Sequence, residues 1–265
     1  MQYYFAPLEG VTGSEFRRAH HRSVPRVDAY YMPFLSPLRT MCLPSGSCAN
    51  VLPEHNQGFR AVPQLLTKNA DDFLWCAGEL AAMGYDEVNL NLGCPSGTVV
   101  AKGKGSGLLG APEALDRMLD RIFSGSPVAV SLKTRLGLED PEEFARLLEI
   151  FGRYPVSLLI VHPGCGRTFT GTRCGWSILS RRWMSPWAAV LQRRPGDCGG
   201  LRPVCPPFSQ VDRVMIGQGL WRTPLWSKRP KAGPEPDGRL CGPFTMSSTT
   251  PIWRSSPASA TRYFT

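Results

Sequence analysis

A (β/α)8 barrel, an α/β TIM-type fold of parallel strands, is the class this sequence predicts, on three observations. Short apolar runs alternate with amphipathic ones from the start to about residue 171. The 265 residues are close to the roughly 250 that such a barrel uses. Polar residues collect at the ends of the apolar runs, where a barrel gathers its strand termini around one mouth. The alternation stops after residue 171, so the barrel is expected to be incomplete or irregular from there.

Taken in order, the strand-like runs are "YYFAP" (3–7), "VDAYYM" (27–32), "AVPQLL" (61–66), "DEVNLNL" (86–92), "VAVSLK" (128–133) and "SLLIVH" (157–162). Each is short, apolar and rich in β-branched or aromatic residues. Three helix-like segments lie between them. Residues 70–84 have acids in the first turn and a terminal Gly, 111–123 have Pro near the start, and 140–153 open on Asp-Pro before apolar residues at helical spacing. Strand, helix, strand in this rhythm predicts parallel βαβ units. "VDRVMIGQG" (211–219) is one more buried strand ending in a Gly-rich turn.

Two segments break the rhythm. Residues 172–206 and 221–265 have no sustained period and are strewn with Pro, Trp, Arg and Ser. Together they hold 13 Lys/Arg against three acids and six of the seven tryptophans, so the net charge of +9 belongs wholly to them and the remainder is near neutral. Ordinary disorder is poor in aromatics. The composition is instead that of coding sequence read in a shifted frame, an expectation that reading the underlying DNA in all three frames would check. Residues 1–220 are therefore expected to form the barrel domain, with 172–206 aberrant, and 221–265 an irregular basic tail. Nine dispersed cysteines with no CxxC pair argue against a disulfide framework or a zinc site, so no metal is expected. Neither a signal peptide nor a membrane-length apolar run is present, which predicts a cytoplasmic chain without membrane contact. A monomer is expected.

Chemistry-bearing residues stand at the strand ends. "APLEG" closes the first strand and Gln64 lies within the third; Asn89, Asn91 and Cys94 end the fourth, Lys133 the fifth, His162 the sixth, and Gly217 and Gly219 the last. A lone cysteine is as a rule a small buried hydrophobe. Lys133 would be costly on an apolar strand without a partner, either a carboxylate at the rim or an electron-rich ligand.

The combination of "APLEGVTGSEFR", "VPQLLTKN", "DEVNLNLGCPSGTVVAKGKGSGLL", "SLKTRLG", "LIVHP" and "VDRVMIGQG" resembles the tRNA-dihydrouridine synthases, flavin-dependent reductases of tRNA uridines. The resemblance covers about residues 1–171 and 207–220. It implies FMN across the barrel mouth, NADPH as reductant, hydride transfer to C6 of the uracil ring, and a proton delivered to C5 by Cys94. A thiol with a pKa of about 8.5 keeps its proton at neutral pH and suits that role. The loop after Cys94 would be mobile and carry it over the base, with Lys102 and Lys104 meeting phosphates. Backbone groups at Pro7, Leu8 and Glu9 would line the flavin, Gln64 would bond its pyrimidine edge, Lys133 would pair with its N1/O2 edge, and His162 would lie nearby. Asn91 would touch base or flavin, and Arg135 the RNA. Gly217 and Gln218 would bind the FMN phosphate.

The chain departs from the family at several points. Gln218 stands where the family usually has Arg, a loss of about 1.5 to 3 kcal/mol of phosphate binding. The Asn-Gly-Asp/Glu turn that helps hold the phosphate is absent from 172–206, and nothing in 221–265 matches the family's helical tRNA-gripping domain. Weak FMN retention follows. Two other readings stay open at this point: a different FMN barrel acting on a small molecule, distinguished by NADPH oxidation without tRNA, and a damaged, non-catalytic product that binds RNA through its basic tail.

Overall fold

The structure, a computed structural model, describes residues 2–24, 27–37, 48–166, 189–193 and 213–217, all within one compact unit, Met1–Arg229. Its strands are β1 (Gln2–Phe5), β2 (Ala29–Tyr31), β3 (Ala61–Val62), β4 (Gln64–Leu65), β5 (Glu87–Leu92), β6 (Ala129–Arg135), β7 (Leu159–His162), β8 (Ala189–Arg193) and β9 (Arg213–Ile216). All pair in parallel, in the order β3-β2-β1-β9-β8-β7-β6-β5-β4.

The two ends of that order are consecutive in sequence, and this closes the sheet. Only Pro63, which has no N–H to give a ladder, separates β3 from β4. On one side Tyr30 pairs with Ala61 and Tyr31 with Val62; on the other Gln64 pairs with Asn89 and Leu65 with Leu90. Residues 61–65 thus act as one interrupted strand, and the nine segments make an eight-stranded barrel.

Beyond residue 171 the described residues are β8, β9 and Gly217. β9 falls inside the run expected at 211–219. β8 lies in the segment 172–206, where composition gave no strand signal, and its backbone bridges β7 and β9. The rest of 172–206 and all of the tail 221–265 lie outside the described residues.

Helices α1 (Ser14–Ser23), α2 (Ala70–Ala82), α4 (Pro112–Gly125) and α5 (Phe144–Phe151) follow strands, with a single turn, α3 (Gly97–Val100), after β5. Their ends have local causes. The Asn69 side chain accepts from the N–H of Asp71 and Asp72 to start α2, and Gly84 beyond its end takes φ 93°. Asp140 and Glu143 form a reciprocal capping box ahead of α5. Pro112 opens α4, where a missing N–H costs nothing.

Strand alternation divides the core. Val88, Leu90, Leu92, Val130, Leu132, Leu159 and Val161 face outward into one cluster with Phe73, Leu80, Leu119 and Phe151 from the helices. Burying each such side chain contributes about 1.5–3 kcal/mol. Tyr4, Ala6, Ala29, Tyr31, Val62, Ile160 and Met215 form a second cluster across the barrel interior. A third, containing Phe5, Tyr30 and Val214, holds the outer face against α1.

Candidate functional site

Along β4, β5 and β6 the positions between the outward-facing residues are Gln64, Asn89, Asn91, Ser131 and Lys133, and the pairing puts Gln64, Asn89 and Ser131 side by side, with Asn91 beside Lys133. Gln64, Asn89, Asn91 and Ser131 are buried, and Lys133 is half-buried as a whole residue with its amine enclosed. Their polar atoms form one relay. Asn89 Nδ2 donates to Ser131 Oγ, Gln64 Nε2 to Asn89 Oδ1, and Asn91 Nδ2 to Gln64 Oε1, each at 2.8 Å. Asn91 Oδ1 then accepts from Gly93 N at 3.0 Å and Cys94 N at 2.9 Å. The chain of bonds orients each amide, because each oxygen faces a donor and each nitrogen an acceptor. The sequence marked Asn89 as a polar strand-end residue without giving it a role and did not mark Ser131, although polar side chains at every second position of apolar strands are the signal of such a row.

Cys94 ends the relay half-buried, outside the apolar clusters of the core. Its carbonyl accepts from both Ser106 N and Ser106 Oγ at 3.0 Å. The following segment, expected as a mobile loop, contains the α3 turn and a 3-10 helix at Gly105–Gly110, and it returns to the cysteine it leaves. Burial pushes the Cys94 thiol above its ordinary pKa, with nearby Glu9 acting the same way; Arg135 and Lys133 pull against them. The net direction keeps the proton on sulfur at neutral pH.

Lys133 is brought down to about 7, first by burial and then by the Arg135 guanidinium, with Cys94 opposing. It has no hydrogen-bond or ion-pair partner among the described residues. An ammonium so placed lacks the acceptor that would hold its charge. The electron-rich edge of a flavin ring supplies one, so the residues present fit FMN at its ring end.

Arg135, expected to contact RNA, is 7% exposed. Its Nε donates to Gly93 O at 2.7 Å and its Nη1 to Cys165 O at 2.9 Å, which ties the ends of β5 and β7 together. His162 is also buried, opposite Arg135 in register. After β1, Pro7 and Leu8 are half-buried and Glu9 exposed. Leu8 spends its N–H on Thr12 Oγ1 at 2.9 Å, and its carbonyl accepts from Thr12 N, so the turn is held still by its own bonds. Lys102 is exposed and Lys104 half-buried. Lys68, not anticipated from the sequence, runs alongside them, with Nζ 3.8 Å from where a Cβ on Gly103 would stand. Gly217 is buried at the end of β9, and Gln218 lies outside the described residues.

Two further features lie away from this mouth. A pocket of about 300 Å³ opens at the other end of the barrel, where Arg60 pairs with Glu87 at 2.8 Å. Among the described residues no group of three His, Cys, Asp or Glu side chains is placed to hold a metal, and no helix is long and apolar enough to cross a membrane.

With the geometry in place, comparisons with known proteins bear on it. Residues 4–177 match the family model described as dihydrouridine synthase. A probable tRNA-dihydrouridine synthase of Staphylococcus aureus (strain Mu50 / ATCC 700699) is 26% identical over 239 residues, covering 86% of this chain and 71% of the relative. Probable tRNA-dihydrouridine synthase 2 of Bacillus subtilis (strain 168) is also 26% identical over 239 residues, covering 86% and 72%. Among solved structures, morphinone reductase superposes with a TM-score of 0.51 at 11% identity, over 83% of this chain and 82% of that one, a likeness of fold alone.

Proposed function

This chain belongs to the dihydrouridine synthase family, and on that premise we propose that it reduces uridine to 5,6-dihydrouridine in tRNA, with FMN as cofactor and NADPH as reductant. FMN, when bound and reduced, would supply the hydride for C6 of the uracil ring. Cys94 gives the thiol proton to C5, so the C5=C6 π bond is replaced by two C–H bonds, and the thiolate left behind takes a proton from water. The observation that carries this reading is the half-buried Cys94 at the barrel mouth, its thiol pKa raised, one strand from an ammonium with no partner.

The other residues take roles that their contacts support. Lys133 would hold the electron-rich edge of the ring. Gln64 has one N–H and one lone pair left after its bonds to Asn89 and Asn91, enough to meet the pyrimidine edge of the cofactor. Pro7, Leu8 and Glu9 would border the ring, and His162 would close the β7 side. Asn91 and Arg135 act on the Cys94 backbone and its neighbours, Asn91 through the Cys94 N–H and Arg135 through the Gly93 carbonyl. Lys102 and Lys104, joined by Lys68, would meet RNA phosphates. Gly217 and Gln218 would receive the FMN phosphate.

The test is dihydrouridine content in tRNA from a strain lacking its own dihydrouridine synthases. Supplying this chain should restore the modified base. Unmodified tRNA, with the chain present and folded, would refute the proposal.

A further inference from the structure

One buried residue of the barrel mouth, Ser106, has no role in the reaction as described above. Ser106 is fully buried, twelve positions from Cys94 in sequence, and both of its donors converge on the Cys94 carbonyl. On the other side of the cysteine, Asn91 Oδ1 accepts from its N–H at 2.9 Å. Gly105, at φ +57°, presses so close that a Cβ there would stand 2.8 Å from the Cys94 oxygen and 3.0 Å from its Cβ. Held at N–H and at C=O, the cysteine backbone has little freedom. Its sulfur is then confined to a circle about the Cα–Cβ bond.

We propose that Ser106 is a positioning residue for Cys94: its hydroxyl and N–H fix the cysteine carbonyl and so set the direction from which the thiol meets the substrate base. The inference rests on the reading of Cys94 as proton donor. Delivery of a proton to carbon depends on approach along one direction, and a donor that is a fraction of an ångström astray loses rate without losing substrate affinity. Ser106 touches neither base nor cofactor in this account and acts only through Cys94.

The test is a double-mutant cycle on the full chain loaded with FMN, using NADPH and unmodified tRNA. Ser106→Ala should lower kcat for uridine reduction about tenfold, what losing one hydrogen bond's net contribution amounts to. KM for tRNA and the rate of flavin reduction by NADPH should not change. In a Cys94→Ala background the same substitution should cause no further fall. Should Ser106→Ala not fold, Ser106→Cys, with its weaker S–H donor, takes its place and should shift kcat the same way. An undiminished kcat, or an equal fall in the Cys94→Ala background, would overturn the role. If Cys94→Ala alone leaves uridine reduction intact, it is the proton-donor reading that fails; if Cys94→Ala slows it to a measurable residual rate and the two effects add, only the role of Ser106 fails.

Discussion

The two halves of the barrel interior are built from opposite materials. From β1, β2, β7 and β9 the interior receives Tyr4, Ala6, Ala29, Tyr31, Ile160 and Met215, packed as an apolar cluster. From β4, β5 and β6 it receives Gln64, Asn89, Asn91 and Ser131, joined by hydrogen bonds up to Cys94, with Lys133 beside them. An apolar interior would have sufficed for folding, since packing is non-directional and tolerant of replacement. A hydrogen-bonded row is directional, and removing one member strands its partners. The difference shows where the fold gave up tolerance to hold side chains in one orientation, and that half leads to the cysteine.

Asn91→Leu should break the contrast most severely. It leaves the N–H groups of Gly93 and Cys94 without their side-chain acceptor and Gln64 Oε1 without its donor. A loss of at least about 3 kcal/mol is expected, at about 1–3 kcal/mol for each of the three stranded groups. Urea denaturation should show a lower midpoint at unchanged slope. Next comes Gln218→Arg, which tests the phosphate end: restoring a charge-assisted pair worth about 1.5–3 kcal/mol should tighten FMN binding at least tenfold in a fluorescence titration. Unchanged affinity would remove Gln218 from the site.

Lys133 sharpens the comparison through pH. Its pKa falls from 10.5 in the unfolded chain to about 7 in the folded one, so between those values the unfolded state binds more protons. The cofactor-free protein should therefore gain stability as pH rises from 7 towards 10.5, and the penalty should be fully present below 7. Lys133→Met should flatten that rise in urea midpoints taken at pH 7 and 9, while weakening FMN binding. An identical slope in both proteins would contradict the burial of a charged amine. The smallest effect is expected in the apolar half. Met215→Leu, at a fully buried position, conserves volume and should cost less than about 1.5 kcal/mol with no change in FMN affinity.

The apolar framework was legible in the sequence because it repeats. The strands at 86–92 and 128–133 are observed at Glu87–Leu92 and Ala129–Arg135, and the helices at 70–84 and 111–123 at Ala70–Ala82 and Pro112–Gly125. α1 was not anticipated, for a physical reason. Its buried face is Ser14, Arg17 and His20, with no apolar stripe to read. Besides its contact with the third apolar cluster, it is held by Arg17, whose guanidinium donates to Thr12 O, Asn50 O and Asn56 Oδ1. Asn50 and Asn56 lie 33 and 39 residues away in sequence, and such partners leave no periodic trace. β8 escaped for a related reason, being five residues within arginines, tryptophans and prolines, where pairing with β7 and β9 rather than pattern makes a strand.

In the site, Cys94, Asn91 and Lys133 were legible as polar residues at strand ends and Gln64 as one within a strand, and the structure brings Cys94, Asn91 and Gln64 into one bonded row. Arg135 was legible as a charge, but its inward turn towards the carbonyls of Gly93 and Cys165 depends on how β5, β6 and β7 align. Ser106 was hidden altogether, since only the closing of the loop carries it back to the cysteine.

A half-reaction measurement on Cys94→Ala, with FMN bound, separates the two transfers most directly. Reduction of the flavin by NADPH should proceed at the wild-type rate, while its reoxidation by unmodified tRNA should slow by about 10²- to 10⁴-fold, the usual contribution of a positioned acid. Reoxidation by tRNA at the wild-type rate would contradict the assignment of Cys94 as the proton donor.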